Sequence, residues 1–355
     1  MFFASDNASG ASPKIFNAII AANDGYALPY GADDWSKAAE VRVSELFERD
    51  CAVFLVPTGT AANALALAAF TPAYGAIFCH DDAHIMDDEC GAPEFFSAGA
   101  KLVGIPGSLG KITEAGLAAT LAAYPRGLVK QVQPAALSLS QATESGTLYS
   151  VAEIAAFSEM AHRHDVAVHM DGARFANAIA SLDVSPAQLT WKAGVDVLSL
   201  GGTKNGAIMC EAVVFFDRDR AADFLYLRKR GGHTVSKGRF IAAQMLAWLD
   251  DGHWLELARH ANEQAQRLAS GLRIISGVRL PWQPQINEVF AVLPSAADKA
   301  LKAAGARYYD WGGRGLEGDG RLKPGEVFVR MVTSFATRPE DVERFLDVAG
   351  KAVNG

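Results

Sequence analysis

Val197-Leu198-Ser199-Leu200-Gly201-Gly202-Thr203-Lys204-Asn205-Gly206 reads as an apolar β-strand that runs into a glycine-rich turn carrying a lysine. A lysine in that place sits at the rim of a sheet, where its amine can be held in a pocket and react with an aldehyde. Upstream, Ala167-Val168-His169-Met170-Asp171-Gly172-Ala173-Arg174 is a second strand, and it ends in an acid followed by glycine. Working outward, short apolar runs at 52–56, 76–79, 101–105, 135–139 and 212–216 alternate with helical patterns such as 38–47 and 61–70. This alternation predicts an α/β fold, with a mostly parallel central sheet covered by helices on both faces. Beyond about residue 250 the pattern changes to a long amphipathic helix over 254–272, strands over 288–293 and 326–332, and a closing helix over 339–353. The expected organisation is a large domain over 1–250, N-terminal arm included, and a smaller α+β domain over 251–355.

The formal net charge of −7 argues against a nucleic-acid surface. No apolar stretch is long enough to span a bilayer, and the first residues lack the basic and apolar regions of a signal peptide. Cys51, Cys79, Cys90 and Cys210 are widely spaced in a chain large enough to stabilise itself without cross-links, so reduced thiols and a cytoplasmic location are expected.

Three local patterns carry chemistry. Pro57-Thr58-Gly59-Thr60 follows a strand and opens an alanine-rich helix, which aims free N–H groups and a positive helix end at an anion. Asp171 and Lys204, at the ends of two strands of one sheet, are the pair that pyridoxal phosphate needs, an acid for the ring nitrogen and an amine for the aldehyde carbon. Each pattern also has an ordinary use: Thr-Gly-Thr as a turn and cap, Asp-Gly as a helix cap, Lys204 as a solvated loop lysine. Their order, with the lysine 33 residues after the acid (204 minus 171), sets them apart from that background.

Over nearly its whole length the chain resembles the pyridoxal-phosphate enzymes of the aspartate-aminotransferase fold, and within them the threonine aldolases. The stretches that carry the likeness are Ser5-Asp6-Asn7, Tyr30-Gly31-Ala32-Asp33-Asp34, Pro57-Thr58-Gly59-Thr60-Ala61-Ala62-Asn63, Ala83-His84, the Asp171 and Lys204 segments, and Val329-Arg330-Met331-Val332-Thr333. The resemblance implies an aldolase that splits a β-hydroxy-α-amino acid such as L-threonine, L-allo-threonine or phenylserine into glycine and an aldehyde. It implies pyridoxal 5′-phosphate as cofactor, with Lys204 as its Schiff-base lysine. Gly59 and Thr60 would bind the phosphate, Asp171 the ring nitrogen and His84 the ring face, with Arg174 also among the cofactor contacts and Tyr30 among the substrate contacts. Ser5, Arg174 and Arg330 would grip the substrate carboxylate, as suits the planar fork of arginine. The apolar neighbours Val327, Val329, Met331 and Val332 make an anion necessary for Arg330.

Many threonine aldolases have a histidine where this chain has Glu144, in Gln141-Ala142-Thr143-Glu144-Ser145-Gly146. The base that takes the β-hydroxyl proton is therefore either Glu144 or His84 acting through water. In this fold the phosphate site is often completed by a neighbouring subunit. Tyr30, Lys237, Arg239 and the run Arg228-Lys229-Arg230 are candidates for that contact, in a homodimer or homotetramer. An aminotransferase or β-eliminating lyase on the same scaffold, and a cofactor-binding protein without turnover, are the competing readings. No metal is implied.

Overall fold

The computed structural model describes residues 1–313, 315–316 and 321–354. The apolar runs form one seven-stranded sheet: β1 (Ala52–Val56), β2 (Gly75–His80), β3 (Lys101–Ile105), β4 (Gln133–Ser140), β5 (Ala167–Gly172), β6 (Val197–Gly201) and β7 (Glu211–Phe215). Their order in space is β1-β7-β6-β5-β4-β2-β3. All run parallel except β7, which is antiparallel to both β6 and β1. Only residues 202–210 join β6 to β7, fewer than the dozen or so that a parallel crossover requires. The reversal brings the first residue of β7, Glu211, to the same edge as the last residues of its neighbours, opposite Gly201 and Val56.

Helices cover both faces, as the continuous apolar strands require. Leu198 and Leu200 of β6 and Ala212 and Val214 of β7 enter a core with Val43, Phe47 and Trp248. The alternate residues Val197, Val213 and Phe215 pack on the other side against Ala61, Leu65 and Ala66 of α1 (Gly59–Phe70). The small alanine side chains let this helix lie close to the sheet, so its first turn ends up beside the strand ends.

The long amphipathic stretch is α2 (His253–Arg273), and it joins two cores. Trp254 and Ala258 belong to the core of the large sheet. Ala265, Leu268, Ala269 and Leu272 belong to that of a three-stranded antiparallel sheet, β8 (Glu288–Pro294), β9 (Tyr309–Asp310) and β10 (Glu326–Val332), in the order β8-β10-β9. Strand alternation sorts the small sheet. Val289, Ala291, Leu293, Val329 and Met331 face α2, α3 (Ser295–Ala303) and α4 (Pro339–Asn354), while Glu288, Phe290, Phe328 and Arg330 take the opposite face. The N-terminal arm reaches both sheets. Phe3 lies in the small-sheet core, with its N–H donating to Arg307 O at 2.7 Å and its carbonyl accepting from Val332 N–H at 2.8 Å. Three residues later, Asp6 meets the end of β5.

Among the described residues no helix is long and apolar enough to cross a membrane. The four cysteines are free thiols, all buried except Cys90.

Gly201 marks where β6 presses on the turn after β5. A Cβ there would lie 2.8 Å from Ala173 Cα and O, both backbone atoms that cannot rotate away. Gly201→Ala is therefore expected to destabilise the protein by about 1–3 kcal/mol through overpacking. Urea denaturation checks this, and an unchanged midpoint would contradict the close approach.

Candidate active site

A cleft of about 390 Å³ opens at the edge where the parallel strands end, the usual place for a ligand in an open α/β sheet. The sequence-predicted residues Gly59, Thr60, His84, Glu144, Asp171, Arg174 and Lys204 all line it. The Thr58 hydroxyl caps α1 by accepting from Ala61 N–H at 3.1 Å. The N–H groups of Gly59 and Thr60 belong to the first helical turn, whose donors find no carbonyl within the helix. A Cβ on Gly59 would meet nothing within 4 Å, so space in front of this turn is open.

Asp171 is 6% exposed and firmly held. Its Oδ2 accepts from Asn63 Nδ2 at 2.8 Å and its Oδ1 from Ala173 N–H at 3.0 Å. The second proton of the same Asn63 nitrogen goes to Glu89 Oε1, also at 2.8 Å. His84 Nδ1 lies 2.8 Å from that Glu89 oxygen. The hydrogen bond to Glu89 raises the pKa of His84, and burial raises that of Glu89 itself. A single chain of contacts therefore runs from the imidazole to the strand-end acid. Sequence reading missed Glu89, whose only local signal is its place five residues after His84 on the same short segment.

Lys204 sits in the three-residue turn Thr203–Asn205. Asn205 anchors the turn, donating from Nδ2 to Trp254 O at 2.8 Å and accepting at its carbonyl from Trp248 Nε1 at 3.0 Å. Gly206, at φ 96°, turns the chain away in a conformation that disfavours other residues. Glu211, a second residue missed in the sequence, lines the cleft from β7 and accepts from Thr203 N–H at 3.3 Å. Burial pushes its carboxyl up to about 7.

The arginines have partners within the chain. Arg174 donates from Nε and Nη2 to the two oxygens of Asp6, at 2.8 and 3.1 Å. Burial alone would raise the Asp6 carboxyl, but the charges of Arg174 and Lys204 and the hydrogen bonds from Arg174 and Asn287 outweigh it and hold the group below its ordinary value. Arg330 lies 3.7 Å from Glu288 Oε1, with its guanidinium 4.3 Å from the centre of the Trp311 ring. Glu288 is thus an anion that the apolar surroundings of Arg330 demand, and it also stands 3.5 Å from Arg174. Ser5 uses its hydroxyl to accept from Asn7 N–H at 3.1 Å, capping the turn Asp6–Ala8.

Tyr30 lies elsewhere. It is 53% exposed and lines a separate cleft with Arg218 and Arg228, its ring 4.7 Å from the Lys229 amine. Arg239 donates to the carbonyls of Asp24 and Gly25, at 3.3 and 3.2 Å.

The threonine aldolase of Leishmania major superposes with a TM-score of 0.91 at 28% identity, over 99% of both chains. Low-specificity L-threonine aldolases of Pseudomonas aeruginosa and of a Pseudomonas species are 46% and 44% identical, each over 88% of this chain and 90% of their own. The profile of the beta-eliminating lyases matches residues 3–295. The chain belongs to the beta-eliminating lyase family. Its fold is the one shared with serine palmitoyltransferase of Sphingomonas wittichii, at a TM-score of 0.71 and 15% identity.

The group that this family and fold imply is pyridoxal 5′-phosphate, and the cleft fits it. An amine, a buried carboxylate and an open helix N-terminus line one cavity, and Asn63 Oδ1 and Glu89 Oε2 are buried within it without a hydrogen-bond partner. Among the described residues no group of His, Cys, Asp or Glu is arranged to hold a metal ion.

Two measurements probe this member of the family. Replacing Glu89 by Gln removes the carboxylate that stabilises the His84 cation, so the His84 midpoint in an NMR titration should move down; an unmoved midpoint would show that Glu89 does not act on it. Glu211 has a folded value of about 7 against an ordinary 4.5, so the folded state keeps a proton that the unfolded chain releases. Its contribution to stability falls as pH rises between those values. In Glu211→Gln apoprotein that part of the pH dependence should vanish, as read from urea midpoints at about pH 5 and pH 8.

Proposed function

We propose that the chain is a carbon–carbon lyase of the threonine aldolase type. Its substrates would be L-threonine, L-allo-threonine or related β-hydroxy-α-amino acids, phenylserine included, and its products glycine and an aldehyde. The observation that carries the reading is the meeting of Lys204, Asp171 and the first turn of α1 in one cleft, with Arg174 on its wall. The names of the relatives from Pseudomonas and Leishmania point the same way.

When bound, pyridoxal phosphate supplies an aldehyde for an amine to condense with and a ring that withdraws electrons from the substrate carbon. In this reading Lys204 provides the amine, and Gly59 and Thr60 hold the phosphate through N–H groups and a hydroxyl. Asp171, locked by Asn63 and Ala173, would hold the ring nitrogen and favour its protonated form. His84, oriented by Glu89, would lie against the ring. Arg174, Arg330 and Ser5 bind the substrate carboxylate, which orients the bond to be broken.

The proton of the β-hydroxyl goes to Glu144 or, through a water, to His84. Glu144 stands on the wall shared with a second cleft lined by Asp82, Asp88 and Trp311. The same reading includes a cytoplasmic homodimer or homotetramer with Tyr30 and the basic residues between 228 and 239 serving a neighbouring site, and a division of the chain at residue 250.

Incubation of the purified holoenzyme with L-threonine, L-allo-threonine and L-phenylserine should yield glycine and the matching aldehyde in equal amounts. A keto acid and ammonia in their place would sink the aldolase reading and leave β-elimination. Borohydride reduction should place the pyridoxyl label on Lys204, and Lys204→Ala should lose it. Equal cleavage rates for wild type and Glu144→Gln on every substrate would exclude Glu144 as the base.

A further inference from the structure

We infer that Glu288 occupies the anion position between Arg174 and Arg330, and that binding of a substrate carboxylate there is coupled to uptake of one proton by Glu288. The inference rests on the proposed role of the two arginines.

It follows from a count of charges. The two guanidiniums already face two buried carboxylates, those of Asp6 and Glu288, at 1% and 0% exposure. Lys204 acts on Asp6, and Glu144 on Arg174 and Glu288, so three cations already meet three carboxylates, and a substrate carboxylate would add a fourth negative charge in a dry site where uncompensated charge is expensive. One buried carboxylate must be neutralised. Asp6 is secured as an anion by Arg174 Nε and Nη2 and by Asn287 Nδ2, the last at 3.0 Å. Glu288 has no such support: both of its oxygens are buried without a hydrogen-bond partner.

The charged groups that face Glu288 are Arg174 after β5, Arg330 on β10, Asp6 on the arm and Glu144 in the loop after β4. Two of the four repel it. Burial raises its pKa and the two arginines do not fully offset that. Once protonated, Glu288 changes from a competitor for the arginines into a hydroxyl donor to the incoming carboxylate. The proton comes from solvent and returns there when the ligand leaves.

The probe is glycine, a carboxylate ligand with no Cα–Cβ bond to cleave, bound to the holoenzyme and followed by calorimetry in buffers of different ionisation enthalpy. Wild type should take up about one proton more per glycine than Glu288→Gln. Above the pKa of Glu288, the Kd of wild type should rise about tenfold per pH unit relative to that variant, which also cancels the titration of the ligand's own amine. Equal proton uptake in the two proteins, with glycine weakened tenfold or more in Arg330→Lys, would overturn the role of Glu288 alone. Unchanged glycine affinity in Arg330→Lys would overturn the arginine reading itself.

Discussion

The buried ion pair between Asp6 and Arg174 holds the site together. It joins the N-terminal arm to the end of β5, and through Asn287 and Glu288 it reaches the first strand of the small sheet. Removing one partner of such a pair leaves an uncompensated charge in a dry environment, a loss of about 3–5 kcal/mol. The arm has little helix or sheet of its own, and its position depends on this pair and on the backbone bonds of Phe3 to Arg307 and Val332. The ion pair and these bonds lie within four residues, so the arm cannot move away from one sheet without disturbing the other.

A second constraint comes from the direction of the strands. Parallel β5 and β6 present their last residues at one edge, which puts Asp171 and Lys204 on the same cleft. The short link from β6 to β7 forces β7 to run the other way, and its first residue, Glu211, arrives beside the lysine turn. The edge therefore collects acids from strands of both directions, and burial raises the pKa of Glu211 even though Thr203 donates to it. Asp171 accepts from two donors on the same edge, Asn63 Nδ2 and Ala173 N–H.

The fold was largely legible in the sequence because strand and helix periods are local: the run at 52–56 appears as a strand with the same ends, and those at 167–170 and 195–200 as strands with ends shifted by one or two residues. The direction of β7 was not legible from its residues, which pack as in any buried strand; the length of the link decided it. Gly59, Thr60, Asp171 and Lys204 could be found because each sits at the junction of a strand with a turn, where residue type and place are read together. Arg330 was found through its apolar neighbours, yet the anion beside it was not, since Glu288 lies on another strand of the small sheet.

By itself, the sequence determined the alternation of strands and helices, the capped helix start at Thr58, and the amine and the acid at two strand ends. All of these follow from interactions between residues a few positions apart. Only the tertiary structure decided which charges meet. Asp6 pairs with Arg174 across 168 residues, Asn63 bridges Glu89 and Asp171, and Tyr30 stands apart from the cleft that holds Lys204. The physical reason is that a buried charge must be balanced by whatever folding places next to it, and that partner bears no fixed relation to position along the chain.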